Sequence, residues 1–452
     1  MKHFLMICLY FLILLALEAA LGFSRGFGFD SALTVPFLAR PDQIVQVFGP
    51  SDFASYVLMA RLIPINGIET FRSGYGMFPP GLPIIQWLIF KLWHDAPIYA
   101  VLFPIGIALW SVFMVLFATI LRRLFGLTQC AAFIAPLFLL AFPFFTNDCL
   151  WYSTGLSEGI ALPLFWIACL CTLMLVIWPG KRIWLKAIVV GLLFASASFV
   201  RAQFDFAFAA IVLATAICVS LRWIYLRRHY ALTPHFKRMA VALLVVFSTY
   251  QVTTIPYKIF KNAPTIVVMD NVWGAIWYSK EDAAKLGVPA VFIEAGMESV
   301  CQIDPVKCQE FTDRRNRGQD IDFHEYRRAA IAAILHQPMS LLKIKIPIFW
   351  HFWLVDMFES PSTPGSYGWM SEFVLVLSIP LSGAYALWRR APIGLAYALY
   401  AVGFVVSCTI FSIIVHIESR YFLPIKLLAA LSLIVAVADL AHQRLAATWP
   451  TK

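Results

Sequence analysis

The chain has 452 residues, of which 61% are hydrophobic and only 13% charged, with a mean hydropathy of +0.78. A soluble domain carries about one-quarter charged residues, so the composition excludes that class, and apolar runs of the ~18–20 residues needed to cross a bilayer recur along the chain. The formal net charge of +10 does not imply nucleic acid, because the basic residues gather in short clusters beside apolar runs, the pattern of cytoplasmic loops in membrane proteins.

Residues 4–21 form the first apolar segment, with Lys2 and His3 ahead of it. Glu18 interrupts the region where a small-residue cleavage site would lie, so the segment reads as an uncleaved helix rather than a leader. With Met1 in the cytoplasm, the loop 23–97 is external, and within it 52–63 and 82–93 read as short interfacial helices. Residues 98–121 run inward to Arg122-Arg123, 131–145 outward to Asn147-Asp148, and 156–177 inward to Lys181-Arg182 and Lys186. Residues 184–200 run outward to Arg201, 204–221 return to Arg222 and Arg227-Arg228, and 239–255 emerge past Lys237-Arg238.

From 256 to about 340 the chain is polar and mixed in charge, with an expected helix over 323–335 stopped by His336-Gln337-Pro338. Residues 341–355 are apolar but hold Lys343, Lys345, Pro347 and His351; a span there would expose Arg389-Arg390 outside, so the stretch is read as interfacial. Spans over 373–388, 393–415 and 422–440 complete the chain and leave Arg444 and Lys452 inside. The expectation is an all-α polytopic membrane protein of about ten spans. It has an N-terminal membrane module (1–256), an external polar segment (257–342) and C-terminal membrane helices (343–452). No tandem repeat and no broken-helix pair of the transporter kind stands out. Cys8, Cys130, Cys169, Cys171, Cys218 and Cys408 lie in apolar runs as small hydrophobes. Cys301 and Cys308 lie in the external segment, as a disulfide closing a short loop or as two free thiols.

Under this topology the polar residues at span ends share one face of the membrane. Asp52 and Tyr56 come from the first loop, Asp148, Tyr152 and Glu158 from the second, and Arg201 and Asp205 from the third; His416 and Glu418-Ser419-Arg420-Tyr421 open the last helix. Charges at membrane depth are costly and tend to mark sites. Acids and arginines converging at one interface fit an anionic head group and a moving proton. Each residue also has a plainer role. Asp52 can cap the helix it begins, Glu158 can sit at a helix N-terminus for the dipole, Arg201 and Arg420 can snorkel to water, and Tyr421 can belong to an aromatic belt. Asp320-Ile321-Asp322, followed by His324 and Glu325, resembles a metal-binding acid pair, though such pairs are common in solvated loops.

The motifs also carry a family likeness. They are Ser-Asp-x-x-Ser-Tyr-x-x-x-Ala-Arg over 51–61, Pro-Pro-Gly-x-Pro leading to Phe-Lys-Leu over 79–92, and Thr-Gly-Leu-Ser-Glu-Gly-x-Ala-x-Pro-Leu-Phe over 154–165. Arg201, His336-Gln337-Pro338 and Glu-Ser-Arg-Tyr-x-x-Pro over 418–424 follow. In this order the chain resembles the GT-C superfamily of integral-membrane glycosyltransferases, in the branch of protein O-mannosyltransferases and aminoarabinose transferases. The resemblance implies transfer of a sugar, with inversion, from a polyprenyl-phosphate donor to a lipid, glycan or protein acceptor at the external face of a bacterial inner membrane. Carried over by position, Asp52 is the base, Asp148 and Glu158 are the second-loop acids, and Arg201 and Arg420 bind phosphate. Tyr56, Arg61, Glu418 and Tyr421 support them. The partners implied are the donor, the acceptor and membrane lipids. No metal or other cofactor is required, since the donor is already activated by its phosphate. Phe78 stands where aminoarabinose transferases have a lysine, the external segment is short, and the β-trefoil insert of protein mannosyltransferases is missing. The competing readings are a transporter or flippase of a lipid-linked or anionic solute, and a non-catalytic subunit of envelope-polymer assembly.

Overall fold

The computed structural model describes residues 2–24, 52–71, 79–94, 98–151, 157–178, 180–201, 204–205, 208–209, 212, 234–260, 303–319, 322–340, 343, 353, 367–388 and 422–448. The regular structure among them is helical throughout. Six of these helices are long and apolar enough to cross a membrane, seven if one bent pair counts as a single span. By length and composition the chain is a multi-pass membrane protein. It divides into two compact units, one of Met1–Phe260, Phe373–Phe404 and Leu423–Lys452, the other of Lys261–Glu372 and Val405–Phe422.

The first unit begins with α1 (Lys2–Ser24), followed by the short helices α2 (Asp52–Asn66) and α3 (Gly81–Leu92). The two short helices begin and end close to the expected interfacial segments and pack on each other. α4 (Ile98–Phe125) lies against α1, and Trp110 on it meets Phe113 and Phe145 edge-on at 5.4 and 5.0 Å. α5 (Gln129–Leu137) is tied to α1 by Tyr10, whose hydroxyl donates to the Phe133 carbonyl at 2.7 Å while the two rings stack at 4.5 Å.

The span expected over 131–145 is not continuous. α5 runs into a 3-10 turn (Phe138–Ala141), and after a bend of 84° a π-helix follows (Phe144–Trp151). Phe142 adopts an extended conformation at the break, φ −99° and ψ 119°. It precedes Pro143, whose ring disfavours helical geometry in the residue before it. The reading that no broken helix pair was present is corrected by this bend.

α6 (Glu158–Ile177), α7 (Ile183–Val200) and α8 (Pro234–Phe260) pack side by side, with α6 also against α4. Gly191 allows α7 and α8 to touch: a Cβ there would lie 2.7 Å from the Val246 carbonyl oxygen and from Thr249 Cβ. The described residues of the expected span 204–221 (Phe204, Asp205, Phe208, Ala209 and Val212) are helical; the span expected over 393–415 lies outside the described residues. α11 (Tyr367–Trp388) holds an apolar stretch, Met370–Ser382, and α12 (Leu423–Thr448) is a full-length apolar helix. Ser378 donates to the Ala429 carbonyl at 3.0 Å, and Tyr385 reaches Asp439 at 2.5 Å with Gln443 bridging both.

The two ends of this unit differ in chemistry. His3, Arg122 and Gln129 line one pocket, Arg123 lies 5.5 Å over the Trp178 ring, and Gly126 faces His442. That brings the start of α1, the end of α4, the start of α5 and the ends of α6 and α12 to one basic face, which the positive-inside rule assigns to the cytoplasm. The opposite ends of α6 and α7 carry Glu158 and Arg201.

The second unit contains α9 (Pro305–Asn316) and α10 (Phe323–His336), the latter one residue longer than expected. Arg314 contacts both Glu325 oxygens at 3.0 Å and joins the two helices. Asp304 and Asp322 accept from backbone N–H groups of the first turns, at 3.0 and 3.3 Å, the ordinary capping role of an acid at a helix start. Cys308 is disulfide-bonded. Of the stretch 341–355, only Lys343, which is exposed, and Trp353, which is buried and donates to the Glu372 carbonyl at 3.3 Å, are described.

Candidate functional site

The site is built where the first-loop helix meets the head of α6 and the tail of α7. Tyr56 on α2 is buried, and its hydroxyl donates to Ser157 Oγ at 3.2 Å. Arg201 Nη1 donates to the same oxygen at 3.0 Å, and the Ser157 hydroxyl donates in turn to Glu158 Oε2 at 3.1 Å. Ser157 thus accepts twice and donates once, the full capacity of a hydroxyl. Arg201 Nη1 also pairs with Glu158 Oε1 at 2.8 Å.

Local sequence explains the placement. Glu158 is the first residue of α6 and Arg201 the C-cap of α7, so each charge sits at the helix end whose dipole favours it. Arg201 leaves the helix in an extended conformation, φ −150° and ψ 118°, while its N–H still bonds the Ala197 carbonyl at 2.9 Å. Glu158 is 1% exposed and Arg201 7%. Two charges this deeply buried would be costly singly and are sustained by each other and by Ser157.

A second layer adjoins the first. Tyr250 on α8 donates to Asp205 and lies 3.2 Å from Ser198 Oγ, with the Phe208 ring 3.8 Å from its own. Tyr257 stands 5.6 Å from the Phe199 ring. α3 is set against the same corner by Gly81: a Cβ there would lie 2.6 Å from the Phe199 carbonyl oxygen and 2.9 Å from the Val200 nitrogen. The Pro-Pro-Gly turn therefore rests directly on the residues that lead into Arg201. On the buried side of α3, Gln86 is fully enclosed, and neither of its amide atoms has a hydrogen-bond partner among the described residues.

Of the residues singled out from sequence, Tyr56, Glu158 and Arg201 are brought into one network, and Asp52 is the first residue of α2, one turn before Tyr56. Arg61 is not part of it. It is exposed, with its guanidinium 5.7 Å over the Phe90 ring, and so fastens α2 to α3. Asp148 is buried on the π-helix, which packs against α12 with its buried Lys426. Glu418, Arg420 and Tyr421 lie outside the described residues, as do Tyr152, His416, Asp320 and Ile321.

Three residues escaped the sequence reading. Ser157 is an inconspicuous hydroxyl whose role appears only when three distant segments meet. Gln86 was hidden in an amphipathic pattern. Lys426, 1% exposed, carried a usable signal, a lone lysine near the start of an apolar run. Among the described residues no group of three or more His, Cys, Asp or Glu side chains is arranged to hold a metal ion.

No protein-family model matches the chain, and no curated protein matches its sequence. What fold and composition define is the class: a helical, multi-pass membrane protein with a buried acid–arginine network at the end of its bundle opposite the basic clusters.

Proposed function

We propose that the chain is a glycosyltransferase that moves a sugar from a polyprenyl-phosphate donor to a lipid, glycan or protein acceptor at the external face of a bacterial inner membrane. The observation that carries this reading is the meeting of Tyr56, Ser157, Glu158 and Arg201, drawn from three separated segments, beside the helix that Asp52 begins. The acceptor hydroxyl oxygen forms a bond to the anomeric carbon from the face opposite the phosphate. Its proton passes to the Asp52 carboxylate, and the carbon–oxygen bond to phosphate breaks with the electron pair leaving on the phosphate. A positioned base of this kind contributes ~10²–10⁴-fold. Arg201, held in orientation by Ser157 and Glu158, is the cation that stabilises the departing anion, where stabilisation is worth most. Gln86 supplies a buried amide donor and acceptor suited to sugar hydroxyls.

A second reading is favoured by one feature. The 84° break and the π-helix beyond it, with Asp148 and Lys426 buried there, have the character of the discontinuous helices that line transporter sites. Mass analysis of membrane lipids and envelope glycans, with and without this protein, separates the two. A transferase leaves its prenyl-phosphate sugar accumulating and one modification missing when deleted. Unchanged prenyl-phosphate sugar pools alongside a displaced solute would sink the transferase reading in favour of transport.

A further inference from the structure

The basic end of the first unit holds a pocket of about 350 Å³ between the start of α1, the end of α4 and the start of α5. Arg122, Arg123 and His3 line it together with Met6, Ala118, Thr119 and Ala132, and no acid is among the described lining residues. Arg122 and Arg123 are both exposed, and Arg123 is braced over the Trp178 ring. The first turn of α5 opens at Gln129, also in the wall. Thr128 caps only the Ala131 N–H at 3.2 Å, so the positive end of that helix adds to the field of the guanidiniums. Beside the pocket, α1 presents Leu5, Leu9 and Leu12 at 68%, 44% and 59% exposure, a surface suited to acyl chains rather than water.

The site therefore combines paired cations with apolar lining at the basic end of the bundle. Positive-inside residues need only face water. A concave pocket of this volume, in the range of small-ligand sites, goes beyond that requirement, and basic pockets between membrane helices on the cytoplasmic side are suited to anionic lipid head groups. A free phosphate would leave Met6, Ala118 and Ala132 uncovered. We propose that this pocket seats the phosphodiester head group of an anionic inner-leaflet phospholipid, gripped by Arg122 and Arg123, at a site separate from the Tyr56–Arg201 network.

The test is native mass spectrometry of the full-length protein in neutral detergent, with phosphatidylglycerol, phosphatidylcholine or inorganic phosphate added. The expected result is retention of one phosphatidylglycerol with a roughly 25-fold preference over phosphatidylcholine, about fivefold for each arginine. Arg122→Gln with Arg123→Gln brings the preference to within about twofold. Thr119→Trp, which keeps both charges and fills the pocket, abolishes retention, and it serves alone if the double variant does not insert. Equal retention of the two lipids by the native chain overturns the proposal. So does retention that survives Thr119→Trp, or displacement of the lipid by inorganic phosphate.

Discussion

Arg201 and Glu158 form an ion pair at 2.8 Å with side chains only 9% and 1% exposed, joining the C-cap of one span to the first residue of another. Removing one member of a buried pair leaves the other uncompensated, at a cost of about 3–5 kcal/mol. Glu158→Gln and Arg201→Gln are therefore each expected to lower the thermal unfolding midpoint in detergent sharply. The double variant Glu158→Leu, Arg201→Met is expected to recover much of that loss while remaining inactive. Additive losses in the double variant would show that the two side chains are not coupled.

Asp52 and Tyr56 are separated by one turn of α2, and their roles are distinguishable. Asp52→Asn is expected to reduce turnover by ~10²–10⁴-fold with donor binding and thermal stability close to native. Tyr56→Phe removes one hydrogen bond to Ser157 and is expected to cost about 0.5–1.5 kcal/mol of stability with a smaller loss of rate. Single-turnover assays with radiolabelled prenyl-phosphate sugar measure the first effect. An Asp52→Asn variant of native turnover would exclude that carboxylate as the base.

Gly81 is the third test, because its backbone approach is what docks α3. A methyl group there would meet the Phe199 carbonyl oxygen at 2.6 Å, backbone that cannot move aside cheaply. Gly81→Ala is expected to cost about 1–3 kcal/mol and to shift α3 off the end of α7. Protease sensitivity of the α3 turn, read by peptide mapping, should rise in the variant.

Much of the architecture was legible because long apolar runs and helical periodicity are local properties. α2, α3 and α10 were recognisable from their turns and caps, and the span ends at Glu158 and Arg201 from charge alone. The 84° bend was missed although Phe142-Pro143 was in plain view, since hydropathy averages across a proline whose effect is confined to one residue. Ser157 was missed for the opposite reason. It becomes informative only when Tyr56 and Arg201, from other segments, converge on it. Lys426 is a buried ammonium inside an apolar span, a signal that hydropathy averaging hides.

The cysteines offer a topological prediction. Cys308 is disulfide-bonded, whereas Cys130 is free, exposed and at the basic end of the first unit. A disulfide belongs to an oxidising compartment and the basic end to the cytoplasm. In intact cells a membrane-impermeant maleimide is expected to leave Cys130 unlabelled and to reach Cys308 only after reduction. Labelling of Cys130 from outside would invert the topology and with it the placement of the Tyr56–Arg201 network.

The buried charges Asp148 and Lys426 set the last test. Both are 1% exposed, on the π-helix and on α12, which pack together. Asp148→Asn alone and Lys426→Met alone each remove one of two opposite buried charges, which is severe where those charges compensate each other; together they remove both. The double variant is expected to unfold closer to the native chain than either single variant does. If it also keeps the proposed glycosyl transfer, the pair is structural and the reacting acid must be sought in the first loop. If folding recovers while activity is lost, Asp148 belongs to the reaction, and the bend at Pro143 exists to bring it there.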